Sequence, residues 1–253
     1  MPNEDHLLVK IRNYVFLVIG ILAVGIAIGV EMMVNPPETP PFDLLPILLR
    51  GLAITIELTI LGAALALVVA IVAGVARSSK NIFIRTITGF YVEIFRGTSI
   101  LVQLFWIFFV LPLPPFNLSL TPLQAGVLAL GLNVGAYGAE VVRGAIGAIP
   151  RGQIEASIAL NMSPGLMMRR VIIPQAMVRI LPPFGNLLIE LLKATSLVSL
   201  ITLSDITFQG LALRQSMGRT TEVFLLILVI YFLLAYPLTL GVRWLERQRR
   251  WAT

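Results

Sequence analysis

The sequence predicts an all-α membrane protein of about six transmembrane helices with both termini in the cytoplasm, and three observations carry that expectation. Apolar residues make up 57% of the chain and charged residues only 13%, with a mean hydropathy of +0.92, far from the composition of an ordinary soluble domain. Six runs are long enough for an α-helix to cross about 30 Å of hydrocarbon, which takes roughly 20 residues. Between those runs, Lys and Arg fall on alternate loops. A net charge of +6 could suit nucleic acid, but this alternation assigns the charge to a membrane surface, so membrane lipid is the expected surrounding and nucleic acid is excluded as a partner.

The expected spans are residues 14–34, 46–76, 90–111, 122–142, 182–201 and 222–244. The first could be a secretory signal, since Lys10 and Arg12 precede it. Against that, the run is long for a signal, acidic Glu4 and Asp5 lie ahead of it, and no small-x-small cleavage site follows. Cytoplasmic loops are enriched in Lys and Arg. Lys10 and Arg12, then Arg77, Lys80 and Arg85, then Arg143, Arg151, Arg169, Arg170 and Arg179, and finally Arg243, Arg247, Arg249 and Arg250 all fall on one side. The other side receives two proline-rich connectors and the 202–221 segment, with Arg50, Arg214 and Arg219 as its few cations. Ser204 could cap a short helix there carrying Ile206, Leu211 and Leu213; a partly ordered loop is the alternative. No internal repeat or soluble linker is visible, so the chain reads as one membrane domain.

Ionisable residues inside a span are costly and by default face a bundle interior or a water-filled path. Three acid–base pairs stand at i,i+3, close enough on one helix face to neutralise each other: Glu93 with Arg96, Glu140 with Arg143, and Glu190 with Lys193. Each pair could exist only to make burial tolerable. The third lies deepest, and Asn186, Glu190 and Lys193 form one polar stripe on an otherwise apolar helix. Asn133, Tyr137 and Glu140 repeat the spacing in span four, while Arg96, Ser99 and Gln103 supply a third stripe. Glu57 is a lone buried acid in span two, and Thr195 and Ser196 follow Lys193 where the helix could be irregular. Such stripes converge on one another, on a second subunit, or on a solute. With Lys193 for a carboxylate and Glu190 for an ammonium, the lining suits a small zwitterion.

Several chemistries are excluded by what is missing. Cysteine is absent and His6 is the only histidine, which leaves no cysteine-based metal site and no histidine cluster for metal or catalysis. There is no G-x-x-x-x-G-K-[ST] loop to cradle a nucleotide and no G-x-S-x-G or H-E-x-x-H, so no cofactor is expected in this chain and no enzymatic activity. Gly135, Gly138, Gly144 and Gly147 are small-residue spacings that read as helix packing.

The segment 150–174 is the polar, basic interruption of this apolar chain. Residues 152–160 read as a short helix whose apolar side is Ile154, Ile158 and Met162, with Glu155 in the first turn. Asn161 suits the left-handed position that closes a helix, and Ser163-Pro164 reads as the start of the next. In sequence it runs Gly152-Gln153-x-Glu155-Ala156-Ser157, then Asn161, then Val171-Ile172-Ile173-Pro174. This resembles the "EAA" loop of the permease subunits of bacterial ABC importers, with every interval preserved and Ser157, Asn161, Val171 and Ile173 as departures. The segments around Glu93–Thr98, Ala136–Ile146, Pro174-Gln175-Ala176, Asn186 and Lys193-x-Thr195-Ser196-Leu197 are similar to the polar amino-acid uptake group of that family. Ser99 replaces a usual proline. The resemblance covers about residues 48–247, so 1–45 form a tail, an additional transmembrane helix and an outer loop ahead of a transmembrane domain at 46–253.

That resemblance implies that Gly152, Gln153, Glu155, Ala156, Asn161 and Pro174 dock on a dimer of ATP-binding subunits, which hold the ATP and Mg. It further implies a second permease subunit, identical or a paralogue, an extracytoplasmic solute-binding protein, and a bacterial inner-membrane location. The same group imports compatible solutes such as ectoine, which stays as an alternative to a polar amino acid. Two rivals from other classes are an ion-driven secondary transporter, which predicts repeats and broken spans, and a membrane scaffold, which leaves the polar stripes unexplained.

Overall fold

The computed structural model describes residues 41–249 and six isolated positions between 20 and 33. The expected span at 14–34 and the tail before it therefore fall largely outside the described residues. A 3₁₀ turn, Pro41–Leu44, leads into α1, Leu45–Arg77. Its 33 residues are about 50 Å long at 1.5 Å per residue, more than the hydrocarbon thickness. Within it Thr55 and Thr59 turn their hydroxyls back onto the carbonyls of Gly51 and Thr55, at 3.1 and 2.7 Å, so neither hydroxyl is left unbonded in the bilayer.

Asn81 opens α2, Ile82–Gly97, by accepting the Phe83 N–H at 2.9 Å. The helix stops at Gly97, Thr98 and Ser99 are extended, and the chain resumes as α3, Ile100–Phe105, continued by a π turn at Trp106–Val110. The two pieces meet at 107°. The single span expected at 90–111 is thus a broken pair, because small polar residues at the break find partners that a straight helix would deny them. Next, α4, Pro122–Gly147, begins in a capping box between Thr121 and Gln124. Short α5, Arg151–Ala159, follows.

From Pro164 the chain is one nearly continuous rod. α6, Pro164–Met167, passes through a π turn at Met168–Ile172 into α7, Ile173–Ala194, and a 3₁₀ turn at Thr195–Ile201. The helical run that carries the span expected at 182–201 begins near 164: Pro182 and Pro183 lie inside α7 rather than at its start. α8, Ile206–Met217, and α9, Thr220–Arg249, complete the chain. The cap of α8 is Asp205, whose carboxylate accepts the Phe208 N–H at 2.8 Å, not Ser204. Among the described residues four helices are long and apolar enough to cross a membrane, five when the broken pair is taken as one span.

α4 is the centre of the bundle: 67% of its apolar window is buried, against 33% for the α1 span and 28% for the α9 span. Ala and Gly dominate the buried face of α4, which lets α1 approach closely. The tightest glycine of α4 is Gly138, where an added Cβ would stand 2.6 Å from the Ala70 Cβ and 2.9 Å from the Phe184 ring. α1, α4 and α7 therefore meet at a residue with no side chain. Gly144 and Gly147, expected to share this packing role, have nothing within 4 Å. A second, smaller core at the opposite end from 150–174 joins Leu44 and Leu48 to Ile206, Leu213 and Val223.

Candidate functional site

The 150–174 segment forms the helix–turn–helix expected of it. Asn161 adopts φ 55°, the left-handed conformation that asparagine tolerates best after glycine, and Ser163 accepts the Leu166 N–H ahead of Pro164. The orientation differs from expectation. Ser157 is the buried residue of α5 and bonds the Gln153 carbonyl at 2.7 Å, while Ile158 and Leu160 are 63% and 77% exposed. A period near four identifies a stripe but not the direction it faces. Helix α5 also starts at Arg151, which puts Glu155 beyond the first turn, so the expected contact with the helix dipole does not form. The result is a knob with Gly152, Gln153, Glu155, Ala156, Asn161 and Pro174 exposed beside two large apolar side chains. An exposed apolar patch rimmed by polar groups marks a contact surface.

Two side chains of α7 brace this knob. The Arg179 guanidinium donates to the carbonyl of Ala148 at the end of α4, and the Gln175 amide reaches Gln153 Oε1 at 3.4 Å. Neither role has a sequence signal beyond helical spacing on the far side of a turn.

The polar stripes divide into a buried set and an exposed set. Gln103 and Asn133 are both buried and satisfied. Gln103 Nε2 donates to the Phe95 carbonyl at 2.9 Å and to Thr98 Oγ1 at 2.7 Å. Asn133 Nδ2 donates to the Phe95 carbonyl and to Gln103 Oε1, each at 3.0 Å. With Tyr91, whose hydroxyl donates to the Leu132 carbonyl at 2.6 Å, they splice the broken ends of α2 and α3 onto α4. An Asn133→Leu chain is expected to lose about 1–3 kcal/mol of stability, because the Phe95 carbonyl and Gln103 amide oxygen lose a buried partner. Thermal unfolding in detergent checks this.

Tyr137, Arg96 and Ser99 are exposed, and the Arg96 guanidinium lies over the Tyr137 ring at 5.3 Å. Among the three expected i,i+3 pairs, one forms: Arg143 and Glu140, at 2.8 Å. Glu140 also takes Arg77 of α1 at 3.1 Å, and Glu93 lies 3.8 Å from Arg77 rather than pairing with Arg96. Long side chains reach a neighbouring helix as readily as the next turn. Glu57, expected to be buried, faces out of the described bundle.

The deepest pair is the open one. Glu190 and Lys193 are exposed together with Asn186 on one face of α7, and neither forms an ion pair among the described residues. Glu190 lies inside the Pro164–Ile201 candidate span, eleven residues before its C-terminal end. Ser196 bonds the Lys193 carbonyl at 2.9 Å, and Thr195 is fully buried beside Tyr231.

A bundle of long apolar helices with open charges on one face of α7 and a polar knob at one end fits the membrane part of a transporter. The chain matches the family of binding-protein-dependent transport system inner membrane components over residues 66–251, and it belongs to that family. It is 46% identical over 207 residues to a probable amino-acid ABC transporter permease, y4tF, of Sinorhizobium fredii, covering 80% of this chain and 87% of that one. It is 35% identical over 206 residues to the glutamine transport system permease GlnP of Escherichia coli, covering 81% and 94%. Among solved structures, an amino acid ABC transporter crystallised with histidines shares the fold with a TM-score of 0.74 and 34% identity, over 81% of this chain and 94% of that one.

Proposed function

We propose that this chain is the permease subunit of a binding-protein-dependent ABC importer for polar amino acids, seated in the bacterial inner membrane with the 150–174 knob in the cytoplasm. The carrying observation is the unpaired Glu190 and Lys193 on an exposed face inside the Pro164–Ile201 candidate span. Two unneutralised charges there need a polar occupant in the assembled protein, and an ammonium and a carboxylate on one small solute supply both partners. The amino-acid solutes named for the relatives y4tF and GlnP support the same choice. Asn186, Tyr137, Arg96, Ser196 and Glu140 extend the polar lining. Gln103, Asn133 and Thr195 serve it from behind as scaffold, and Glu57 has no place in it on this geometry.

A second permease subunit covers the exposed stripe and completes the path. An ATP-binding dimer takes the knob formed by Gly152, Gln153, Glu155, Ala156 and Leu160, and an extracytoplasmic binding protein delivers solute at the other end. ATP and Mg belong to the ATP-binding partner, and this chain hydrolyses nothing.

The test is co-purification. A wild-type chain is expected to retain its ATP-binding subunit through affinity purification, and Glu155→Arg to lose most of it while still inserting in the membrane. Retention by Glu155→Arg, or ion-driven transport by the purified single chain, overturns the reading. A binding screen on the cognate binding protein, with polar amino acids and ectoine as probes, identifies the solute.

A further inference from the structure

Asp205 is fully buried and pairs with no cationic side chain among the described residues. Its Oδ1 accepts the Phe208 N–H at 2.8 Å, and its Oδ2 accepts the Tyr231 hydroxyl of α9 at 3.3 Å. Around that hydroxyl stand Thr207 of α8 at 3.3 Å and Thr195, at the end of α7, at 3.4 Å. From α1, Thr55 accepts the adjacent Ile206 N–H at 3.3 Å. Contact with α1 is direct as well: a Cβ on Gly51 would lie 2.5 Å from the Asp205 carbonyl carbon, so only glycine lets the two backbones touch. One polar cluster, made of the carboxylate, the Tyr231 hydroxyl and the Asp205-Ile206 backbone, thus joins α1, α7, α8 and α9 at the end away from the knob.

The carboxylate itself meets the Phe208 N–H and Thr207 of α8 and the Tyr231 hydroxyl of α9; Thr55 of α1 joins through the Ile206 N–H and Thr195, at the end of α7, through Tyr231. Tyr231 is the one titratable group among them, and no charged side chain among the described residues pairs with Asp205. A four-helix junction that encloses an acid without a counter-ion is conditional, since a buried carboxylate is costly when ionised and cheap when protonated.

We propose that Asp205 is a positioning residue of the transport cycle: with Tyr231 it holds α8 onto the ends of α1 and α7, and a proton on the carboxyl fastens that hold. Burial pushes the Asp205 carboxyl up to about 6 from its ordinary 3.8. An acid that titrates higher in this arrangement than when hydrated stabilises the arrangement increasingly as pH falls from 6 toward 3.8. Above that window the hold is at its weakest. α8 is therefore freest to lift at neutral pH and clamped in acid. The role is independent of which residues meet the solute, so a wild-type transport rate in Glu190 or Lys193 variants leaves it standing.

Absence of cysteine makes the test direct. Cysteines placed at exposed Leu49 of α1 and Gln215 of α8 carry a spin-label pair in the assembled transporter, and their distance distribution is measured at about pH 5 and about pH 7.5. The expected wild-type result is one distance in acid and a second, longer population at the higher pH. Asp205→Asn, permanently uncharged, keeps the single distance at both. Tyr231→Phe enlarges the longer population at the higher pH, and adding Asp205→Asn removes the increase. Identical wild-type distributions at the two pH values overturn the proposal, as does an Asp205→Asn chain that responds like wild type. If Asp205→Asn fails to assemble, an unchanged distribution in Tyr231→Phe at the higher pH overturns it alone.

Discussion

Lys193→Met and Glu190→Gln are each expected to lower transport about 10–100-fold, while assembly with the ATP-binding and binding-protein partners is expected to stay at the wild-type level. The magnitude follows from a charge-assisted hydrogen bond of about 1.5–3 kcal/mol, at roughly 1.4 kcal/mol per tenfold. The double variant separates two explanations of the pair. If Glu190 and Lys193 only neutralise each other in the assembled membrane, removing both is mild, because replacing both partners of a buried pair is often neutral. If they hold a solute, the double variant is at least as impaired as the worse single. Transport into vesicles loaded with ATP, using solute-saturated binding protein, measures all three. Wild-type rates in both single variants sink the solute role, and rescue in the double variant assigns the pair to neutralisation.

Much of this was legible beforehand, and the remainder fails for identifiable reasons. Apolar runs long enough to span hydrocarbon are a one-dimensional signal, so α1, α4 and α9 appear in the sequence within a few residues of their true limits. Turn chemistry is equally local, which is why Asn161 and Ser163-Pro164 could be placed. The break at Gly97-Thr98-Ser99 was missed because hydropathy averages across three small residues, and what stabilises it is Asn133, more than thirty positions away. Glu93 shows the same limit: its preferred cation, Arg77, lies on another helix, and helical spacing knows nothing of neighbours. Ser204 and Asp205 are both good caps, and the choice between them depends on which one Tyr231 can reach.

The polar stripes illustrate a subtler point. Spacing put Asn133 and Tyr137 on one helix, whereas Arg96 and Gln103 lie on two helices that meet at 107°, and each expected stripe is divided by depth. The inner member bonds across helices and the outer member is exposed. Helix periodicity spreads residues over an arc, and an arc that straddles the edge of a bundle holds both scaffold and lining. Only α7 keeps its stripe wholly on the outside, and there the charges stay open.

Gly138→Val is expected to be damaging, because it overpacks the point where α1, α4 and α7 meet. Its Cβ would sit 2.6 Å from the Ala70 Cβ and 2.9 Å from Phe184 Cε2. The first atom is fixed to its backbone and the second belongs to a ring that is 5% exposed, so relief requires α1 or α7 to shift. Overpacking of this kind costs about 1–3 kcal/mol, which in a chain of this size lowers the melting temperature by roughly 2–12 °C. Gly144→Val, six residues along the same helix and with nothing within 4 Å, stays within about 0.5 kcal/mol of wild type. Both variants share the same loss of glycine flexibility, so the difference between them isolates close approach of the helices from helix propensity. Equal melting temperatures in matched detergent would mean that α1, α4 and α7 do not meet at Gly138. The loss should extend to transport even where the protein survives extraction, because Phe184 lies two residues from Asn186 on the helix that joins the knob to Glu190 and Lys193.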